Sequence, residues 1–201
     1  MDVSLISKAT EFARRIFESD VSGHDFDHTL RVYRMAVRIA QEEEADVKTV
    51  ALAALLHDVD DRKLSPETYA HKDRAVAFLR ERGMEEEEIQ RIVRIISEIS
   101  FSAGNGRPST VEGMCVQDAD RLDAMGAIGI GRAFAFGGTR GRRMHDPEAS
   151  DPTTTIQHFY DKLLLLKDRM NTVAGKRLAA RRDEFLHSFL DEFYAEWDGN
   201  R

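Results

Sequence analysis

The sequence predicts an all-α protein, and three observations support this fold class. Apolar residues recur at spacings of three and four along most of the 201 residues, which is the period of an amphipathic helix. Alternating runs of Val, Ile, Thr and aromatic residues, which would indicate strands, are scarce. The composition, 42% hydrophobic and 32% charged, is that of a globular chain with a sizeable core. We therefore expect one helical domain over residues 1–201.

Local signals mark where several helices begin and end. Ser65 followed by Pro66 offers an N-cap with proline at the first helical position, and the four glutamates at 85–88 suit the positive end of a helix dipole. Gly83 stands where the helix before it should stop. The predicted helices are 3–18, 26–44, 46–58, 66–82, 86–100, 109–122, a looser apolar segment at 124–136, 153–171 and 173–197. The segments 102–109 and 136–152 break the pattern, and the second has the length of a functional or disordered loop.

Charge and cysteine content narrow the classes of function. Asp and Glu number 36 against 29 Lys and Arg, and this acidic balance disfavours a nucleic-acid polymer or an anionic membrane as partner. Cys115 is the only cysteine, which excludes an internal disulfide and fits a reducing compartment. No export signal is apparent, and no run approaches the ~20 apolar residues that span a bilayer. We expect a cytoplasmic protein, with a homodimer as a possible assembly.

The apolar stretch Val-Ala-Leu-Ala-Ala-Leu-Leu at 50–56 runs directly into His57 and Asp58. An ionised carboxylate at the end of a buried helix costs several kcal/mol unless a cation or hydrogen bonds compensate it. Imidazole and carboxylate are ligands that suit divalent transition metals. The other candidate ligands are His24 and His28 upstream and Asp118, Asp120 and Asp123 downstream. The alternative is that His57 caps its helix and Asp58 pairs with a nearby arginine.

Helix geometry decides between some of these candidate ligands but not all of them. Asp25 or Asp27 resembles a helix N-cap, which places His24 in the approach to the helix and makes His28 the better ligand. His24 then becomes a substrate contact, a residue that orients a ligand, or a loop surface residue. Among the aspartates, Asp120 and Asp123 share one helical face at i, i+3, and Asp118 points elsewhere.

Three short motifs contain the best candidates: H-T-x-R-V at 28–32, H-D at 57–58 and A-D-x-L-x-A at 119–124. Together they resemble the HD-domain superfamily of metal-dependent phosphohydrolases. This resemblance implies an all-α HD-type bundle with one divalent metal at its centre, Mn²⁺ first and Ni²⁺, Co²⁺, Fe²⁺, Zn²⁺ or Mg²⁺ as alternatives. The ligands that it implies are His28, His57, Asp58 and Asp120. The metal-site core would span about 20–125, with the helices of about 153–197 packing on it.

The C-terminal half adds a second resemblance. The segments 158–172 and 181–193 are similar to those of a bacterial subgroup of small HD hydrolases that includes nucleoside triphosphate pyrophosphohydrolases. This similarity implies hydrolysis of a nucleoside triphosphate to a monophosphate and pyrophosphate. The alternatives are a nucleoside monophosphate phosphatase, which uses the same metal chemistry, and a catalytically silent regulator that binds nucleotide or metal.

An enzyme of this kind needs a base near the metal. The H-D-x-x-D spacing places Asp61 about one helical turn beyond His57. In related hydrolases an acidic residue at this position assists the attacking water, so Asp61 joins the metal ligand Asp58 as a candidate catalytic residue. For Asp60 we expect a solvated turn. His71 could serve a second metal, but no further set of ligands accompanies it, and we therefore expect one metal.

A bound phosphate group also needs positively charged side chains, and an acidic protein must place them close to the site. Lys162 and His158 share a helical face four residues apart. Arginine side chains in the Gly-rich loop can bind phosphate oxygens bidentately. The candidate substrate contacts are Lys162, His158, Lys63, Arg142 and His24, with Arg140, Arg143 and Arg107 as weaker candidates. A solvated surface is the alternative for each of them.

Overall fold

The computed structural model describes residues 3–17, 26–61, 67–99 and 106–200, and helices dominate this part of the chain. The α-helices are α1 Val3–Phe17, α2 Phe26–Glu42, α3 Val47–Leu56, α4 Asp73–Glu81, α5 Glu86–Ile99, α6 Val111–Asp123, α7 Gly126–Thr139, α8 Thr155–His158 and α9 Val173–Trp197. These residues contain no β-strand, so the predicted all-α class is confirmed. None of the described helices has both the length and the apolar character needed to cross a membrane.

The chain divides into two compact units, residues 1–120 and 121–201. The division falls inside α6, whose last three residues belong to the second unit. The single domain over residues 1–201, with the C-terminal helices packing on the metal-site core, stays a prediction.

Helix α3 forms the centre of the first unit. Its residues from Thr49 to Leu56 are all buried, and it packs against α1, α2 and α5. A helix that is apolar on every side is expected to be surrounded in this way. The carboxylate of Asp46 caps it by accepting hydrogen bonds from the Lys48 backbone N–H (3.0 Å) and the Thr49 hydroxyl (2.6 Å). His57 follows at its C-terminal end.

The helix predicted over 66–82 is shorter than expected. Residues 67–72 form turns, and α4 begins at Asp73. The reason is the backbone of Lys72, whose φ of +54° lies in the left-handed region that a residue inside a right-handed helix cannot adopt. Pro66, which suggested the earlier start, lies outside the described residues.

In the second unit, α9 packs against α7, and its predicted range of 173–197 is confirmed. The Thr172 hydroxyl caps it by accepting a hydrogen bond from the Gly175 N–H (2.9 Å). Phe134, Phe159, Phe189 and Phe193 form an aromatic cluster, with ring centres 5.7 to 6.3 Å apart in each contacting pair. Phe159 is fully buried and the other three rings are partly buried, and large rings of this kind supply much of the packing area of a small unit.

The single helix predicted over 153–171 is wrong. The structure has α8, a π-helical segment Phe159–Leu163 and a 3-10 turn Lys167–Arg169 instead. The Leu164 N–H donates to the Phe159 carbonyl (2.9 Å), which is the i to i−5 bond of a π-helix. Short π-helical segments are frequent at functional sites.

The loop predicted over 136–152 begins later, because α7 extends to Thr139. Buried Asp146 organises it by accepting hydrogen bonds from the Ser150 hydroxyl (2.7 Å) and from the Ser150 and Asp151 N–H groups (2.8 Å each). The Ser150 and Asp151 hydrogen bonds lower the pKa of Asp146 to about 2. The loop therefore has a definite local structure built on one carboxylate.

We expect the substitution Leu55→Ala to lower the free energy of unfolding by about 2–5 kcal/mol, because it leaves a cavity beside the fully buried α3. Urea denaturation followed by far-UV circular dichroism measures this change. The matched control is Leu165→Ala, since Leu165 is 44% exposed and its loss should change stability by less than about 0.5 kcal/mol. Equal effects of the two substitutions would contradict the central position of α3.

Candidate metal centre

Three of the four predicted ligands converge in the first unit. His28 on α2, His57 at the end of α3 and Asp120 on α6 each offer one ligand atom, and these atoms lie within 4.8 Å of one another. No other cluster of three such groups occurs among the residues 3–17, 26–61, 67–99 and 106–200. The histidines are buried, while the Asp120 side chain is 42% exposed. The cluster is thus buried on the histidine side and open to solvent at Asp120.

Asp58, the fourth predicted ligand, lies beside the two histidines of this cluster. Its Oδ2 atom lies 3.1 Å from His57 Nε2 and 3.7 Å from His28 Nε2. Asp120 Oδ1 lies 3.5 Å from His28 Nε2. Ligand atoms that share a metal through bonds of about 2.1 Å stand about 3 to 4 Å apart. The spacing of His28, His57 and Asp120 therefore fits a single divalent cation, and Asp58 lies close to both histidines.

The orientation of the His57 ring tests this fit. Its Nδ1 lies 2.8 Å from the Ala54 carbonyl oxygen, so Nδ1 carries a hydrogen and donates it. In the neutral ring Nε2 is then an acceptor, and this buried atom has no hydrogen-bond partner. It faces the Oδ2 of Asp58, which is also an acceptor. Two acceptors at this distance repel each other unless a proton or a metal ion lies between them, and in the second arrangement Nε2 is a metal ligand.

The local charge supports the same conclusion. Burial lowers the pKa of His57, but the charges of Asp58 and then Asp120 outweigh burial and raise it to about 9. The carboxylates therefore create a negative potential at Nε2, where a divalent cation is stabilised electrostatically.

Asp61 lies beyond the end of α3, so helical spacing does not place it. The helix ends at Leu56, residues 57–60 form turns, and the Asp61 N–H donates to the Asp58 carbonyl (3.0 Å). The argument from one helical turn beyond His57 is therefore wrong. The catalytic role of Asp61 stays a prediction.

The expectation that Asp60 lies in a solvated turn is also wrong. Asp60 is fully buried, and its carboxylate accepts hydrogen bonds from the backbone N–H groups of Arg74 (3.1 Å) and Ala75 (3.0 Å). No signal in the sequence separates Asp60 from the neighbouring Asp61, because the partners of Asp60 are 14 and 15 residues away.

The other two candidate aspartates, Asp123 and Asp118, are not part of the metal cluster. Asp123 pairs with Arg132 (2.8 Å) in the second unit, and Asp118 is buried in the first.

The predicted substrate contacts of the second unit share one electrostatic environment. His158 ends α8, and Lys162 lies in the π-helical segment. Burial, followed by the charges of Lys162 and Arg142, lowers the pKa of His158. The guanidinium groups of Arg142 and Arg140 lie 5.6 and 5.3 Å from the centre of the Phe136 ring. The charge of Arg142 therefore acts on His158, while its guanidinium group also lies beside the Phe136 ring.

The remaining candidate residues join neither the metal cluster nor the group formed by His158, Lys162 and Arg142. Arg143 pairs with Asp146 (3.2 Å), and exposed Arg107 contacts the Met114 sulfur. His71 lies exposed in the turns before α4 and takes no part in the metal cluster. His24 and Lys63 lie outside the described residues.

Comparison with known proteins identifies the family. The HD domain family model matches residues 25–125. The chain is 39% identical over 197 residues to the Bacillus subtilis protein YpgQ, covering 94% of this chain and 91% of YpgQ. The crystal structure of an HD-superfamily hydrolase from Bacillus thuringiensis superposes with a TM-score of 0.82 and 42% identity, covering 96% of each chain. The crystal structure of Bacillus subtilis YpgQ in complex with ADP superposes with a TM-score of 0.81 and 33% identity over the superposed residues, covering 96% of this chain and 95% of that one.

The chain belongs to the HD-domain family. Its all-α architecture is of the HD type, as the motifs at 28–32, 57–58 and 119–124 predict. It is an HD-type metal-dependent phosphohydrolase.

We expect His57→Ala and Asp58→Ala to abolish metal retention while the protein stays folded, because each removes a donor from a cluster of four. The metal content of the purified variants, measured by mass spectrometry, tests this expectation, with circular dichroism as the check on folding. The matched control is His187→Ala, which removes a histidine whose side chain is 60% exposed in the second unit. A stoichiometric metal in both site variants would show that the ligand set is wrong.

Proposed function

We propose that this phosphohydrolase acts on nucleotides and splits a nucleoside triphosphate into a monophosphate and pyrophosphate. The observation that carries the substrate class is the crystal structure of the relative YpgQ in complex with ADP. The choice of bond rests on the resemblance of segments 158–172 and 181–193 to the small pyrophosphohydrolase subgroup. The substrate partner would therefore be a small nucleotide, and the chain would act in the cytoplasm without a nucleic-acid polymer or a membrane as partner.

The proposed ligands of one divalent metal, Mn²⁺ first, are His28, His57, Asp58 and Asp120. Two neutral imidazoles and two carboxylates balance the charge of a divalent ion and suit Mn²⁺, Ni²⁺, Co²⁺, Fe²⁺, Zn²⁺ and Mg²⁺ to different degrees. When bound, the metal supplies a Lewis acid that activates water and polarises a phosphoryl oxygen. The buried histidines fix the inner side of the site, and the 42% exposed Asp120 leaves the outer side accessible.

The proposed base is Asp61. Its backbone N–H donates to the Asp58 carbonyl, so it directly follows the turn that holds two of the ligands. A carboxylate near the metal can accept a proton from the attacking water. Asp58 would then bind the metal through its side chain and accept a hydrogen bond from Asp61 through its backbone carbonyl.

The proposed phosphate contacts of the second unit are Lys162, His158 and Arg142. Burial lowers the pKa of His158 most, the charges of Lys162 and Arg142 lower it further, and Asp161 opposes them. The two cations near His158 supply the positive charge that a phosphate group needs. Phosphate groups match both the compact charge of lysine and the planar fork of arginine. Lys63 and His24 remain proposed contacts on the evidence of the sequence.

Product identification tests the proposed reaction. The protein is incubated with nucleoside tri-, di- and monophosphates and with each of several divalent metals, and phosphorus NMR separates pyrophosphate from orthophosphate. We expect monophosphate and pyrophosphate from triphosphates with Mn²⁺, and no product from Asp58→Ala under the same conditions. Orthophosphate from monophosphates would identify a phosphatase. Nucleotide binding without turnover under any metal would identify a silent regulator.

We expect Lys162→Ala to raise KM about tenfold or more and to change kcat less, because it removes a charge-assisted contact to phosphate. Steady-state kinetics with the best substrate of the panel provide the measurement. The control is Lys176→Ala, an exposed lysine of α9 outside the His158 cluster, for which we expect wild-type kinetics. Unchanged kinetics in Lys162→Ala would remove this residue from the substrate site.

A further inference from the structure

Buried Asp60 connects the turn that contains His57 and Asp58 to the start of α4 through two hydrogen bonds. One carboxylate oxygen accepts from the Arg74 N–H (3.1 Å), and the other accepts from the Ala75 N–H (3.0 Å). These N–H groups lie in the first turn of α4, where the helix itself offers no acceptor. Lys72, the residue before α4, makes no side-chain cap. Asp60 therefore caps α4 from another part of the chain.

Lys72 adds a second link between the same two segments. Its side chain is buried, and its Nζ lies 3.4 Å from the Asp60 carbonyl oxygen and 4.0 Å from the centre of the Tyr69 ring. Its left-handed backbone, with φ of +54°, is a conformation that persists only where the surroundings hold it. Both the side chain and the main chain of Asp60 are thus held by residues at the start of α4.

Two hydrogen bonds connect backbone groups within the turn. The Val59 N–H donates to the Leu56 carbonyl (3.4 Å), and the Asp61 N–H donates to the Asp58 carbonyl (3.0 Å). A metal ligand must be held close to its working geometry by the residues around it. Asp60 is two residues from Asp58 and completely inaccessible to solvent, so it can supply this restraint.

We propose that Asp60 is a positioning residue for the metal site: by joining the turn 57–60 to α4, it holds Asp58 where it shares a cation with His28 and His57. This proposal rests on the ligand set given under the proposed function. Lys72 supports the same turn through the Asp60 carbonyl. Asp60 itself contacts neither metal nor substrate.

The test is Mn²⁺ binding to the full chain, measured as the loss of the free Mn²⁺ signal in electron paramagnetic resonance. We expect Asp60→Ala to weaken Mn²⁺ binding about ten- to a hundredfold, the range found when a residue that orients a metal ligand is removed. Asp60→Asn keeps one oxygen acceptor for the two N–H groups and should fall between the wild type and Asp60→Ala.

The matched control is Thr172→Ala, which removes a buried helix cap of the same kind at the start of α9. Its thermal stability should fall, while its Mn²⁺ affinity stays at the wild-type value. A merely structural role of Asp60 would make the two variants alike, with reduced stability and unchanged affinity. That result, in either Asp60 variant that folds, overturns the proposal.

Asp58→Ala, measured alongside, separates this proposal from the ligand set. Wild-type Mn²⁺ affinity in Asp58→Ala would show that the ligand set is wrong, and the positioning role would fall with it. Loss of Mn²⁺ in Asp58→Ala together with wild-type affinity in the Asp60 variants would leave the ligands in place and refute only the role of Asp60. Should Asp60→Ala fail to fold, Asp60→Asn and Lys72→Met give the same comparison, since Lys72→Met removes the ammonium group and keeps the apolar stem.

Discussion

His57 Nε2 and Asp58 Oδ2 lie 3.1 Å apart, and in the neutral state of the ring both are hydrogen-bond acceptors. The arrangement of the metal site depends on this contact. The Ala54 carbonyl fixes the tautomer of the ring, so Nε2 cannot relieve the repulsion by donating a hydrogen of its own in the neutral state. Either a proton on Nε2 or a metal ion between the two atoms removes this repulsion, and the charges of Asp58 and Asp120 favour both arrangements. His28 and Asp120 lie close enough to bind the same ion. The burial of α3 thus places a histidine beside a carboxylate in an arrangement that suits a metal ion.

The pKa values of His57 in the first unit and His158 in the second are shifted in opposite directions. In the first unit the charges of Asp58 and Asp120 raise the pKa of His57 in spite of its burial. In the second, burial together with the charges of Lys162 and Arg142 lowers the pKa of His158. The first environment suits a divalent cation, and the second contains the proposed phosphate contacts. Both lie within a chain of formal net charge −7, which shows that overall charge says little about a particular site.

The sequence predicts helices best where the amphipathic pattern and the capping residue agree. Thr172 precedes a long apolar stripe, and α9 has the predicted bounds. The prediction fails for α4, because a left-handed residue at Lys72 delays the helix, and for 153–171, because an i to i−5 bond interrupts it. Neither backbone conformation is encoded by apolar periodicity. The errors are therefore in helix boundaries and continuity rather than in fold class.

The sequence by itself determined the helical class, the H-D pair at the end of an apolar helix and the residue types that a divalent metal prefers. Tertiary structure alone decided that His28, His57 and Asp120 meet, that Nδ1 of His57 is bound to a carbonyl, and that Asp60 is buried while Asp61 follows it in the turn. The physical reason is the length scale of the interactions. Periodicity and capping act within a few residues, whereas Asp60 has partners 14 and 15 residues away, and packing alone brings such groups together.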